Sequence, residues 1–141
     1  MKINHIVLFF FIAGALLQVL PQNNKQNENK IGSIFADIEN ALSRGDVDKL
    51  SIYFSHQTYF SLANGKTGYF SSNQAYYILE DFFSNYRAIS FKFNNVNTKG
   101  TYPYSSGNYV YEFRGIKKLS RAYISLKNMG GNWKISQITI N

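Results

Sequence analysis

The chain has 141 residues, 45% hydrophobic and 17% aromatic, with two histidines, no cysteine and a formal charge of +7 at neutral pH. That is one domain's worth of chain, since domains run to roughly 100–200 residues, and the apolar fraction suffices for a core. Having no cysteine excludes disulfides, thiolate nucleophiles, thiolate metal sites and a lipid anchor on a processed cysteine.

Residues 1–21 have the three parts of a secretory signal peptide: Lys2, an apolar run over 6–17, and a looser segment ending at Pro21. The run is too short to span a bilayer, which takes roughly 17–25 apolar residues. An exported protein is therefore expected, periplasmic or extracellular, and neither lipid-anchored nor integral to a membrane after cleavage. Cleavage would remove His5 and Lys2, leaving His56 as the one imidazole and a charge of +6, that is +7 less Lys2. A single imidazole excludes a multi-histidine metal site, and no cofactor is expected. Residues 22–30 (QNNKQNENK) carry no apolar side chain; a segment that buries nothing cannot offset its ordering entropy, so a disordered polar linker is expected there.

The domain proper is expected over 31–141. Ile31, Ile34, Phe35, Ile38, Ala41 and Leu42 share one helical stripe, and Gly45 is the residue type that ends such a helix. Asp46 would cap a short second helix through about Phe54. Residues 57–63 alternate as a strand, Asn64-Gly65 offers two positive φ angles for a tight hairpin, and 66–70 return. Ser71 with Gln74 three positions on is a capping-box signature. It opens a third helix whose Ala75, Ile78, Leu79, Phe82 and Tyr86 fall on one face.

From Tyr86 onward the pattern changes to four alternating strands, each with an apolar face and a largely charged one. Ile89, Phe91 and Phe93 lead the first; Tyr109, Tyr111 and Phe113 the second; Ala122, Ile124 and Leu126 the third. Turns are expected at 103–107, 115–118 and 128–132. In the last strand Trp133 and Ile135 are followed by Ile138 and Ile140, so parity switches near Ser136 and Gln137 and a bulge is expected. Nine cations from Arg87 onward face one acid, Glu112, a field that either draws polyanions or keeps a sheet from pairing edge to edge.

The order helix, helix, hairpin, helix and meander, with the opening IFADIENALSRGDVDKLSIYF, resembles the nuclear transport factor 2-like superfamily. More narrowly it is similar to a family of uncharacterised exported proteins from Bacteroidota that carry this fold. The resemblance covers about residues 31–141. It implies an α+β cone: a curved mixed or antiparallel sheet of five to six strands wrapped around three helices, enclosing a pocket. Superfamily members include isomerases, epoxide hydrolases and non-catalytic binders, and fold alone does not choose among them.

The residues argue against the catalytic members. Ketosteroid isomerase relatives need a carboxylate base on the first hairpin strand, where this chain reads Gln57, Thr58, Tyr59, Phe60, Ser61, Leu62. Glu112, the one carboxylate of the meander, has the parity opposite to Tyr111 and Phe113. Epoxide hydrolase relatives use an Asp-Arg-Asp arrangement, whereas Asp37, Asp46, Asp48 and Asp81 fall on helices or caps. His56 has no motif partner for a serine-histidine-acid triad, and Asn64-Gly65-Lys66-Thr67-Gly68 lacks P-loop spacing.

The eleven tyrosines are more telling. Tyr59, Tyr86, Tyr109, Tyr111 and Trp133 are candidates to line a cone that stacks on a small or glycan-like ligand, because such rings pair an apolar body with a polar tip. The alternative is that Tyr109 and Tyr111 are plain core, each worth roughly 1.5–3 kcal/mol of burial. The sequence thus favours a non-catalytic binding module that holds such a ligand in the cone or docks a partner on its sheet. An enzyme of the superfamily's lyase or isomerase kind and a homodimer through the convex sheet face are the other readings. Basic residues among aromatics also suit single-stranded nucleic acid, but export argues against that partner.

Overall fold

The computed structural model describes residues 22–141; the expected signal peptide lies outside the described residues. Two helices, α1 (Gln22–Arg44) and α2 (Val47–Ser51), precede a hairpin of β1 (Phe54–Leu62) and β2 (Thr67–Ser71). Helix α3 (Ser72–Asn85) then leads into β3 (Arg87–Asn97), β4 (Tyr104–Phe113), β5 (Ile116–Met129) and β6 (Asn132–Ile140). All six strands form one sheet in the order β2-β1-β6-β5-β4-β3. The β1–β6 pair is parallel and every other pair antiparallel. The helices lie on one face of this mixed sheet, as the α+β cone expectation requires. Among the described residues no helix is long and apolar enough to cross a membrane.

Helix α1 buries the stripe from Ile31 to Leu42 and stops where Gly45 takes φ 64°. Gly45 N–H donates to Leu42 C=O and Asp46 N–H to Ala41 C=O, satisfying the last carbonyls. Asp46 then caps α2 by accepting from Lys49 N–H at 3.1 Å. That helix ends at Ser51 rather than near Phe54, because the chain is drawn into the sheet: Ile135 N–H donates to Tyr53 C=O at 2.7 Å. At the other end, residues 22–30 are the first turns of α1 and not a disordered linker. No apolar burial is needed there, because the helix is tied to the β5–β6 turn. The Trp133 indole N–H donates to Asn27 Oδ1 at 2.9 Å, and Lys30 Nζ donates to Gly131 C=O at 3.3 Å.

The β1–β2 loop has four residues, 63–66, closed by Leu62 N–H to Lys66 C=O and Gly65 N–H to Leu62 C=O, each 2.9 Å. Only Gly65 takes a positive φ, 84°; Asn64 instead accepts from Lys66 N–H through its side chain. A type I turn followed by a left-handed glycine serves where two positive angles were expected. The capping box of α3 is complete, with Ser71 and Gln74 each bonding the other's backbone. Ala75, Leu79, Phe82 and Phe83 are its buried face.

Strand β6 breaks at Ser136: Ser125 pairs Gln137 and Leu126 pairs Ile135, so Ser136 is the extra residue and the expected bulge is present. Strand β3 has a bulge of its own at Ile89, since Ala88 faces Tyr111 while Ser90 faces Val110. Ile89 is therefore left partly exposed instead of joining Phe91 in the core. A second break falls between Phe93 and Asn95. There Glu39 of α1 accepts from Phe93 N–H at 2.8 Å and pairs with Lys92 Nζ at 2.7 Å. One helical carboxylate thus covers a backbone donor of the edge strand.

Gly107, expected in a turn, lies inside β4 opposite Phe93. A Cβ at that position would come 2.0 Å from Lys92 O and 2.9 Å from Phe93 Cα, both backbone. Backbone of a paired strand cannot retreat as a flexible side-chain end can. Gly107→Ala is expected to cost about 3 kcal/mol or more in urea unfolding, while Gly32→Ala, which meets nothing within 4 Å, should be neutral or slightly stabilising.

Candidate functional site

Three of the five predicted site residues come together, inside the core. Tyr109 is fully buried and Tyr111 nearly so. Tyr109 stacks on Tyr111 at 5.6 Å and Tyr111 meets Tyr86 at 5.4 Å. Tyr86 is sandwiched between Phe82 at 4.7 Å and Phe113 at 4.6 Å. The Tyr109 hydroxyl donates to Tyr86 C=O at 3.2 Å, which answers its one polar atom. Burial, with a smaller push from Tyr111, raises the Tyr109 pKa. These rings fill the space between α3 and the sheet.

The other two stand elsewhere. Trp133 is 7% exposed and committed to Asn27 at the start of α1. Tyr59 has the parity opposite to buried Phe60 and lies on the sheet's outer face, its ring 5.1 Å from that of Tyr69. The five do not line one cavity. Among the described residues no buried side-chain nitrogen or oxygen lacks a hydrogen-bond partner.

Open grooves occur where β1 kinks beside α2 and α3. One, of about 390 Å³, is lined by Ser51, Phe54, Ser72, Asn73, Tyr76 and Tyr77. Its neighbour, about 300 Å³, shares Phe54 and Ser72 and adds His56 and Lys134. No carboxylate lines the His56 groove, so the imidazole has no acid to orient it there.

Most of the acids are engaged in structure. Asp37 accepts from Tyr53 at 2.6 Å, Asp48 from Tyr76 at 2.8 Å, and Asp81 Oδ1 from Asn85 at 3.4 Å. Glu112 pairs with Arg87 at 2.9 Å. Among the described residues no cluster of three histidine or acid side chains could hold a metal ion.

The outer face has a different character from the charged surface that alternation suggested. Following the register across all six strands gives one unbroken row: Tyr69, Tyr59, Gln137, Ser125, Tyr104, Asn97. The next row reads Thr67, Ser61, Thr139, Tyr123, Ser106, Asn95. All twelve positions are tyrosine, serine, threonine, asparagine or glutamine. Charge begins at the margins, with the Lys127–Lys134 pair on one side and Arg121 and Lys92 on the other. Tyr104 and Tyr123 stack at 5.7 Å, and Tyr69 is 69% exposed. Of these four outer tyrosines the sequence singled out Tyr59. The signal for Tyr123 was its parity, opposite to Ala122 and Ile124, whereas Tyr69 becomes significant only once β2 is paired to β1.

Comparison with known proteins gives a consistent result. The family model "Domain of unknown function (DUF4783)" matches residues 35–141. A DUF4783 family protein from Bacteroides uniformis is similar in structure, with TM-score 0.68 and 19% identity over 75% of this chain and 94% of that one. One from Bacteroides ovatus gives TM-score 0.66 and 20% identity, covering 74% and 91%. A hypothetical protein of ketosteroid isomerase-like fold from Catenulispora acidiphila, solved with trimethylamine, gives TM-score 0.61 and 13% identity, covering 77% and 83%. The fold is therefore the nuclear transport factor 2-like one. No protein of curated function matches the chain.

The tyrosines should separate on titration. Tyr53 is pushed up to about 12 by desolvation first and then by its bond to Asp37. A folded-state pKa above the unfolded value means the interaction stabilises fully below about pH 10 and is lost as pH rises through about 12. In an absorbance titration Tyr53→Phe is expected to remove a phenol that ionises near pH 12, and it should reduce the fall in stability between pH 10 and 12. A variant with an unchanged alkaline profile would show that the Asp37 bond is not formed in solution.

Proposed function

The chain belongs to the DUF4783 family, and we propose that it is an exported, non-catalytic binding module whose ligand is a neutral glycan lying across the outer face of the sheet. The observation that carries this reading is the uncharged double row just described, four tyrosines among hydroxyl and amide side chains. Sugars present flat C–H faces that stack on aromatic rings and hydroxyls that need neutral donors and acceptors; a tyrosine ring with its polar tip serves both. Tyrosine also suits protein interfaces; what favours a glycan is that both rows surround the rings with neutral hydroxyl and amide side chains and with no aliphatic one.

An aromatic-lined interior, the other location considered for a ligand, is less favoured because Tyr86, Tyr109 and Tyr111 occupy that space with their own packing. A lyase or isomerase reading has little support. The carboxylates named above hold backbone, tyrosine hydroxyl or asparagine amide donors or cations, and His56 opens to a groove without an acid. A second copy of the chain is the competing occupant of the outer face.

Affinity electrophoresis in gels cast with neutral polysaccharides, followed by calorimetry with oligosaccharides of any that retard the protein, tests the reading. Retardation is expected from at least one. Tyr69→Ala or Tyr123→Ala should each weaken binding about tenfold, equivalent to 1.4 kcal/mol. Binding to none of the neutral glycans, or equal binding by both variants, would sink the proposal. A dimer in light scattering that Tyr69→Arg dissociates would assign the face to a second copy instead.

A further inference from the structure

We propose that the tip of the β4–β5 hairpin docks the protein on an anionic lipid surface. The hairpin closes through Arg114 and Gly115, both in the left-handed region at φ 52° and 76°. A two-residue turn of this kind favours asparagine or glycine at its first position. Arg114 is the one non-glycine residue with positive φ among the described residues. The turn thus holds a cation at its apex against backbone preference.

Beyond the turn β5 extends past the end of β6, which pairs with it from Ala122 onward. Residues 114–119 are consecutively exposed, and burial resumes at Ser120. Ile116 is 61% and Leu119 64% exposed. Ile116 pairs Phe113 and Leu119 pairs Val110, so the two aliphatic side chains project from opposite faces of the hairpin. Arg114, Lys117, Lys118 and Arg121 surround them, and no acid occurs anywhere in residues 113–141.

None of these cations makes an ion pair among the described residues: Glu112, opposite Lys117 in the register, is engaged by Arg87. The ion pairs that sheet cations make among the described residues are Arg87–Glu112 and Lys92–Glu39. Arg114 and Lys118 instead lie over the Phe113 ring, at 5.1 and 5.3 Å from its centroid. Phe113 is itself stacked on Tyr86 and through it on Phe82. Two like charges are therefore held at one aromatic anchor that continues into the core. Exposed aliphatics ringed by basic residues combine the two attractions of an interfacial segment, apolar insertion below the headgroups and electrostatic pull toward anionic lipid. An acidic polymer would use the cations and leave Ile116 and Leu119 with nothing to bury them.

The test is co-sedimentation of the full chain with vesicles of phosphatidylcholine alone and with equal parts phosphatidylglycerol. The variants are Ile116→Ser/Leu119→Ser and Lys117→Ser/Lys118→Ser. Each change sits at an exposed position, so all three proteins should melt alike by circular dichroism. The apolar run at residues 6–17 contributes alike to every variant, which leaves the differences between variants as the readout. On anionic vesicles the lysine pair should lower partitioning about 25-fold, each lysine near such a surface being worth about fivefold. Added salt should weaken the parent in the same sense. The serine pair should lose binding that salt does not account for, and neither pair should change binding to the neutral vesicles. Equal partitioning of all three proteins would overturn the proposal. So would a serine pair that binds anionic vesicles like the parent while soluble polyphosphate competes for both, since that outcome assigns the tip to an acidic polymer.

Discussion

Strand β6 must turn Ile135 and Ile138 toward the same helices, although three residues along a regular strand point to opposite faces. The bulge at Ser136 resolves this conflict, and its hydroxyl is held by the Ser125 hydroxyl at 2.7 Å. Because β6 sits between β1 and β5, the irregularity is shared. Between its pairings with Ile135 and Gln137, β1 advances from Phe54 to Tyr59, five residues against two. The excess is tied down by Thr58 Oγ1 donating to Ile135 C=O at 3.2 Å and by Ser72 Oγ donating to Ser55 C=O at 2.9 Å. Both strands break at the same level, beside the residues of α2 and α3 that line the two grooves.

Sheet parity assigns the tyrosines to two jobs. On the inner face Tyr109 and Tyr111 meet α3, and the body of each ring contributes roughly 1.5–3 kcal/mol by leaving water. The Tyr109 hydroxyl would forfeit part of that gain if it were unpaired; its bond to Tyr86 C=O removes the penalty. On the outer face Tyr59, Tyr69, Tyr104 and Tyr123 are spread in pairs over adjacent strands, at 5.1 and 5.7 Å. Cross-strand aromatic pairs of this kind support the sheet while leaving ring faces and hydroxyls available. An inner substitution therefore tests stability, while an outer one tests the proposed recognition once its effect on the sheet has been measured.

Much of the architecture was legible because it is written in local rules. The α1 stripe, the Ser71/Gln74 capping box and the parity switch at Ser136 each involve residues close in sequence, and each was found where the pattern placed it. The failures involve distant partners. The polar segment at 22–30 gives no local reason to be helical; Trp133 and Gly131, more than a hundred residues away, hold it. Ile89 obeys alternation perfectly and is still displaced, because the bulge that displaces it depends on the pairing of β3 with β4. The candidate site was the least legible. Counting tyrosines pointed to a residue type found on both faces, but a ring's side of the sheet follows from strand pairing and bulges, and these separated Tyr59 from Tyr109 and placed Tyr69 beside Tyr59.

Charge is also divided by the fold. The helices and their caps carry Glu28, Asp37, Glu39, Asp46, Asp48, Glu80 and Asp81, while the sheet and its turns from β3 onward carry nine cations and Glu112. Alternation along the strands places the cations at the margins of the outer face and at the β4–β5 tip, leaving the centre neutral. On β5 the centre of the neutral belt, Tyr123, and the first exposed residue of the tip, Leu119, are four residues apart, about 13 Å along a strand. The body-facing Ser120 lies between them, buried beside Tyr109 in the register. A ligand across the belt and a surface under the tip would thus touch different side chains. The rigid hairpin that joins them fixes the angle between the two, so a protein seated by its tip would present its tyrosine face in one constant orientation.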